Sequence, residues 1–325
     1  MKKIIGLVGT GYWGKNIFRN FYEMGSLHTV CDSNPAVLSE FKQNFPNAHY
    51  ISSLSEMLSN PSIKGIAFAT PAVTHYEFTK QALKAGKDVF VEKPLSLTVE
   101  QGAELLEVAK DNKRILMVGH ILHYHPAVKK LKELITSKVI GEIYYIYSNR
   151  LNIGKLRTEE NVLWSLAPHD ISVVLSLAGE EPVTIDSFAG AYLQKEIYDM
   201  AVITLKFSTG VKSHISVNWL NPFKEQKLVV IGSKGMLVFD DTLQEKLFLY
   251  PHQIEWIDGK IPVAQKSESQ VIPVEKGEPL RLELEHFVEC IETRKTPLTD
   301  GLEGLRVLKV LEEAEKSILN KRSTV

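Results

Sequence analysis

The chain opens with a pattern that leaves little freedom of fold. A strand-forming run from Lys2 to Leu7 is followed by Gly9-Thr10-Gly11-Tyr12-Trp13-Gly14. A short strand that turns through G-x-G-x-x-G into a helix is the dinucleotide-binding fingerprint, and each glycine has its own task. Gly9 allows the tight turn, Gly11 lets backbone approach a pyrophosphate, and Gly14 lets the new helix pack closely on the strand. The helix, from about Tyr12 to Met24, aims its N–H groups and positive dipole end at that pyrophosphate. A second predicted strand, Ser26 to Cys31, ends in Asp32, an acid at the distance expected of a partner for a ribose 2′-hydroxyl.

Strand and helix then alternate. Helices are predicted over Pro35 to Asn44, from Ser53 onward, Thr74 to Ala85 and Thr98 to Lys110. Strands are predicted at His49 to Ile51, Gly65 to Ala69, Asp88 to Val91 and Ile115 to Val118. This is a doubly wound parallel sheet, whose ligand lies across the carboxyl ends of the strands. After His120 the rhythm changes: a helix from Ala127 to Ser137, a strand from Gly141 to Tyr147, and a helical stretch between Glu159 and Ala178. Five strand-like segments follow without crossover helices, from Val183 to Asp240, and two helices close the chain, Leu280 to Thr293 and Gly301 to Asn320. The predicted class is α/β: an N-terminal Rossmann domain, residues 1–121, and a C-terminal α+β domain, 122–325, with a large, mostly antiparallel open sheet. Alternating apolar residues (Ala201, Ile203, Leu205; Ile215, Val217, Trp219) predict a sheet face that a homo-oligomer, dimer or tetramer, covers.

Composition narrows the partners. With 38 basic against 39 acidic residues there is no charge argument for nucleic acid or an anionic membrane. Cys31 and Cys290 lie in apolar segments without metal-type spacing and read as buried thiols of a reducing compartment, and no apolar run approaches a membrane span, so the expected location is cytoplasmic. His120, His123 and His125 are close in sequence, but neither a cysteine nor a spaced carboxylate joins them, and no metal is expected.

Val91-Glu92-Lys93-Pro94 at a strand end, after the glycine motif, resembles the Gfo/Idh/MocA family of nicotinamide-dependent oxidoreductases, as does the Gly119 to Pro126 segment (Gly-His-x-x-x-Tyr-x-Pro). The resemblance implies NAD as cofactor and Lys93 in contact with the reacting hydroxyl near the nicotinamide. Independently, Lys93 stands at the carboxyl end of a sheet strand, and Pro94 restricts it to extended geometry. Gly9, Gly11, Tyr12, Trp13 and Gly14 are expected to hold the pyrophosphate and Asp32 the adenine ribose, while Thr70, Pro71, His75, Glu92 and Lys93 border the nicotinamide half. The family also carries an acid and, four residues later, a histidine on one helix; here His169 matches the histidine and Ser165 stands at the acid position. Serine orients an imidazole but does not stabilise imidazolium as a carboxylate does, and Asp170 points about 100° away on a helix.

Lys93 and His169 are therefore the expected catalytic pair, with His120, Tyr124, Arg150, Asn152, Arg157, Ser165 and Asp170 lining the substrate pocket. The stretch around Ser148 to Asn152 and Leu163 to Asp170 is similar to the branch of the family that oxidises sugar nucleotides. Arg150, Lys155 and Arg157 fall within eight residues, a set of donors fit for a diphosphate. The expected substrate is a UDP-linked N-acetylhexosamine or its uronate, of polysaccharide biosynthesis. A free polyol or monosaccharide dehydrogenase and a non-catalytic NAD sensor are the alternatives.

Overall fold

The computed structural model describes residues 2–154 and 156–322. The chain forms two compact units: residues up to Tyr124 with Glu278–Lys309, and His125–Gly277 with the chain from Val310 on. In the first, β1 (Ile5–Val8), α1 (Gly14–Glu23), β2 (Leu27–Cys31), α2 (Pro35–Asn44), β3 (His49–Ile51), α3 (Leu54–Ser59), β4 (Gly65–Phe68), α4 (His75–Lys84), β5 (Asp88–Glu92), α5 (Val99–Asp111) and β6 (Leu116–Gly119) follow the predicted alternation. The six strands are all parallel, in the order β3-β2-β1-β4-β5-β6. Every residue of β1, β4, β5 and β6 is buried, which is why these strands are unbroken runs instead of alternating ones. Strand order reverses between β1 and β4, so the crevice for a ligand opens at the carboxyl ends of those two strands.

The second unit holds α6 (Pro126–Thr136), β7 (Ile143–Ile153), α7 (Val162–Ala178), β8 (Thr184–Gly190), β9 (Met200–Lys206), β10 (Lys212–Asn218), β11 (Leu220–Gly232), β12 (Gly235–Asp240), β13 (Leu247–Tyr250), β14 (Gln253–Ile257), β15 (Ile261–Gln265) and β16 (Gln270–Val271). Eight of these strands form one sheet, ordered β16-β13-β12-β11-β7-β10-β9-β8, antiparallel except where β7 enters beside β10. Strands β14 and β15 make a separate hairpin with almost no buried residue, so its sequence carries no alternation to read. The sheet's core face is the set predicted to lie open. Ala201, Ile203, Leu205, Ile215 and Val217 are at most 2% exposed, with α7 packed against β9 and β10. Period-2 alternation marks two faces without telling which one the helices cover. The other face carries Tyr145, Tyr147, Phe188, Val202 and His214, which are half-buried or exposed.

Helix α8 (Pro279–Thr293) comes late in the chain and packs into the first unit. Leu280, Leu284, Phe287 and Ile291 join Ile5, Leu7, Phe90 and Met117 in one core. Gly65 leaves room for this helix, since a β-carbon there would lie 2.4 Å from Ile291 Cδ1. The last helix, α9 (Gly301–Arg322), is divided between the units after Lys309. Its second half meets β8 in the second unit, where Ser187 Oγ donates to Ala314 O at 2.5 Å. Just beyond α8, Arg294 takes a left-handed backbone (φ 60°) that turns its guanidinium onto Asp88 at the start of β5, at 2.6 and 3.0 Å. Asp88 is buried and also accepts the Ile115 N–H at 2.9 Å. Arg294→Ala should therefore lower stability by about 2 kcal/mol, less than for a fully buried pair because water reaches the arginine end, and a urea midpoint measurement checks it.

Candidate active site

The loop between β1 and α1 is built by close backbone approach. Gly9 has φ +90°, and a β-carbon on it would stand 2.7 Å from the carbonyl oxygen of Ala69 at the end of β4. A β-carbon on Gly14 would lie 2.2 Å from Gly9 O, whereas one on Gly11 would meet nothing within 4 Å among the described residues. The cradle is thus open at Gly11 and closed at the other two. Helices α2, α3 and α5 are capped by Asn34, Ser53 and Thr98, but no side chain among the described residues caps α1. Helices α4 and α8 also lack a side-chain cap among the described residues, but only α1 opens from the glycine-rich loop, where its N–H groups suit an anion. Tyr12 projects into solvent, and Asp32 sits at the end of β2. Its Oδ2 accepts the backbone N–H and the hydroxyl of Thr10 at 2.8 and 2.7 Å, and its Oδ1 accepts the N–H of Asn34 at 2.9 Å. Those bonds aim the carboxylate while Oδ1 keeps a lone pair for a sugar hydroxyl. These residues fit NAD.

At the next strand ends, Thr70 and Pro71 begin the turn into α4, with Pro71 exposed. His75 lies 1% exposed behind them, its Nδ1 2.6 Å from Pro94 O and its Nε2 2.9 Å from Thr70 O. It lies between the loop after β4 and the loop after β5, with a backbone carbonyl oxygen beside each ring nitrogen. Glu92 is buried at the end of β5 and accepts the Trp13 indole N–H at 2.6 Å, which joins the glycine-rich loop to the strand that presents half-buried Lys93. The Lys93–Pro94 peptide is cis. Burial pushes the Glu92 carboxyl above its usual range, opposed by the Lys93 charge and the indole bond.

Two residues expected to line the substrate pocket lie inside the first unit instead. Tyr124 is 1% exposed, its hydroxyl on Thr299 Oγ1 at 3.3 Å and His286 Nδ1 at 3.0 Å, so it is a core side chain with its polar end satisfied. His120 is equally buried, with Nδ1 2.5 Å from Glu303 Oε2, and His123 approaches the same carboxylate at 3.7 Å. In the second unit His125 caps α6 and reaches Asp241 at 3.4 Å. Glu303, and Glu283 on α8, escaped the sequence reading. Glu283 falls at an apolar-face position beside Leu280, Leu284 and Phe287, a signal that could have found it.

In the second unit, α7 starts at Asn161, whose side chain accepts the N–H groups of Leu163 and Trp164, and it carries Pro168 in its interior. Ser165 is buried and His169 half-buried on this helix. Asp170 faces β7, accepting Ser148 Oγ at 2.5 Å and Arg150 Nε at 2.6 Å, with Arg150 Nη2 at 3.2 Å. Arg150 is therefore a partner of Asp170, fastening helix to sheet with its Nε and Nη2. Asn152 is half-buried near the end of β7, and Arg157 pairs with Glu160 at 2.8 Å. Lys155 lies outside the described residues.

A parallel sheet with this loop and carboxylate defines a dinucleotide-binding protein of the Rossmann type. The comparisons narrow the class: residues 3–120 match the oxidoreductase family with NAD-binding Rossmann fold, and residues 128–238 the GFO/IDH/MocA C-terminal domain. The chain belongs to the Gfo/Idh/MocA family and is an NAD-binding oxidoreductase. It is similar to UDP-N-acetylglucosamine 3-dehydrogenase of Acidithiobacillus ferrooxidans, 24% identical over 311 residues and 93% of either chain. It is 28% identical over 280 residues to scyllo-inositol 2-dehydrogenase (NAD(+)) of Bacillus subtilis, covering 82% of this chain and 78% of that one. A solved oxidoreductase of Magnetospirillum magnetotacticum MS-1 is 31% identical with a TM-score of 0.83, covering 97% of this chain and 100% of that one. No helix among the described residues is long and apolar enough to cross a membrane.

Two outcomes follow from this geometry. NAD should bind more tightly than NADP by calorimetry, because Asp32 repels a 2′-phosphate and neighbouring Ser33 and Asn34 offer no guanidinium; Asp32→Ala should narrow the gap. Asp170→Asn should cost about 3 kcal/mol in chemical denaturation, since it leaves Arg150 buried without its counter-charge.

Proposed function

We propose that the protein is an NAD-dependent dehydrogenase that oxidises a ring carbinol of a nucleotide-activated sugar, a UDP-linked N-acetylhexosamine or its uronate, in polysaccharide biosynthesis. The observation that carries the dehydrogenase reading is Lys93 at the carboxyl end of β5, beside a carboxylate tied to the cofactor loop. NAD supplies the hydride acceptor; the protein positions the carbinol and handles its proton. Lys93 binds the hydroxyl, and His169, with Ser165 as its orienting neighbour one turn away, takes or relays its proton. The likeness over 93% of both chains to a UDP-sugar 3-dehydrogenase supports the substrate class.

A second reading, oxidation of a free polyol, is favoured by the pairing of Arg150 with Asp170, which already engages two nitrogens of one expected phosphate donor, and by the inositol dehydrogenase relative. The reading includes a homo-oligomer that covers the open face bearing Tyr145, Tyr147 and Phe188, and a cytoplasmic site of action in keeping with two buried free thiols.

Binding of UDP, UDP-sugars, free sugars and inositols to the NAD-loaded protein at two salt concentrations separates the readings. The first requires salt-dependent binding of UDP-sugars and their turnover. Turnover of inositols or free sugars, with no nucleotide sugar bound, replaces it by the second. On the true substrate Lys93→Ala should reduce kcat by at least about a hundredfold while NAD still binds, and His169→Ala should reduce it less. Near-native kcat in Lys93→Ala removes the catalytic assignment, and an absence of turnover on every carbinol tested points to an NAD sensor.

A further inference from the structure

A cavity of about 540 Å³ lies at the amino ends of β5 and β6, the end of the parallel sheet opposite the glycine-rich loop and Lys93. Small-molecule sites span about 300–1,000 Å³, so its size suits a ligand of a few rings or less. The walls are the last turn of α5, the start of β6, the segment after α8 and the first turn of α9, all within the first unit. Leu106, Leu116 and Leu302 make one side apolar. Gly301 lets α9 begin hard against β6, since a β-carbon there would lie 2.8 Å from Leu116 Cδ2.

Lys110, Lys113, Arg114, Arg294 and Lys295 line the same cavity, against the acids Glu107 and Asp300. Part of this charge belongs to the fold. Arg294 is committed to Asp88 and to the Lys113 carbonyl at 3.0 Å, Lys295 reaches Glu289 at 3.4 Å, and Asp300 accepts the Glu303 N–H at 2.9 Å. Lys110, Lys113 and Arg114 form no ion pair among the described residues. Arg114 is nonetheless fixed in place: Nε donates to Asn112 O at 2.9 Å and Nη1 to Gly86 O at 3.2 Å, which leaves Nη2 with no partner among the described residues. Lys113 stands just past the end of α5 with φ 52°, a left-handed backbone that glycine adopts without strain. The helix dipole favours a cation there by no more than that backbone costs, so the dipole alone gives lysine no advantage over glycine.

We propose that this cavity binds a small phosphate ester, with the phosphoryl oxygens held by Arg114 Nη2 and the Lys110 and Lys113 amines and the organic part laid on the leucines. A guanidinium gives phosphate oxygens directed donors, and ammonium groups add unfocused charge around them. Because two backbone carbonyls already immobilise Arg114, little side-chain entropy is lost when it engages. The cofactor cradle and Lys93 lie at the carboxyl ends of the strands, so this occupant is neither the dinucleotide nor the carbinol but a separate ligand.

The probe is phenyl phosphate, titrated by calorimetry into NAD-saturated protein so that the glycine-rich loop is already filled. It should bind at one site, about tenfold more tightly than inorganic phosphate, because its ring covers the leucines. Lys113→Gly removes the amine and relieves the backbone, so folding is not at risk, and it should weaken phenyl phosphate about tenfold. Leu302→Glu, at an exposed position of the apolar wall, should abolish binding. The proposal is overturned by an absence of saturable binding, by equal affinity for the two phosphates, or by unchanged affinity in either variant. No readout involves the carbinol or its oxidation, so the result stands apart from the dehydrogenase reading.

Discussion

The carbonyl oxygen of Gly9 lies 2.2 Å from where a β-carbon on Gly14 would stand, and much of the first unit is arranged by that approach. It brings α1 down onto the end of β1, where strand order reverses. The same turn lies against the Ala69 carbonyl at the end of β4, and Thr10 closes it onto Asp32 at the end of β2. Trp13 is then placed to reach Glu92 on β5. Backbone without side chains sets the positions, and polar side chains on neighbouring strands are fastened to it.

Each unit also uses one buried carboxylate to hold a helix in place. Asp88 takes the arginine that follows α8, and Asp170 takes Arg150 so that α7 is secured to β7. Such pairs resist separation more than they add net stability, because either charge left alone in the interior is costly.

What was legible in the sequence followed from periodicity and from glycine. The parallel strands were visible because burial on both faces makes them continuous apolar runs, and α2 and α3 because Pro35 and the Ser53 cap announce their starts. The loop, Asp32 and Glu92-Lys93-Pro94 were visible because their spacing is local. Contacts between distant segments were not. Nothing near Arg150 announces that Asp170 will meet it across a helix and a strand, and Tyr124 reads as readily as a pocket residue as a core one until His286 and Thr299 are seen at its hydroxyl. Strands β14 to β16 were missed because they are short and mostly exposed, and β13 because its four residues are too few to show a period.

The two cysteines, Cys31 on β2 and Cys290 on α8, both belong to the first unit, and burial pushes each thiol up to about 11. At neutral pH about one in ten thousand of either is a thiolate, and each is screened by the core around it. A thiol reagent therefore acts as a clock for the opening of the dinucleotide-binding half alone, because the strands of the second sheet contain no sulfhydryl to answer. Ligands that slow the clock bind the parallel sheet or hold it shut, and the protein carries this reporter without any introduced label.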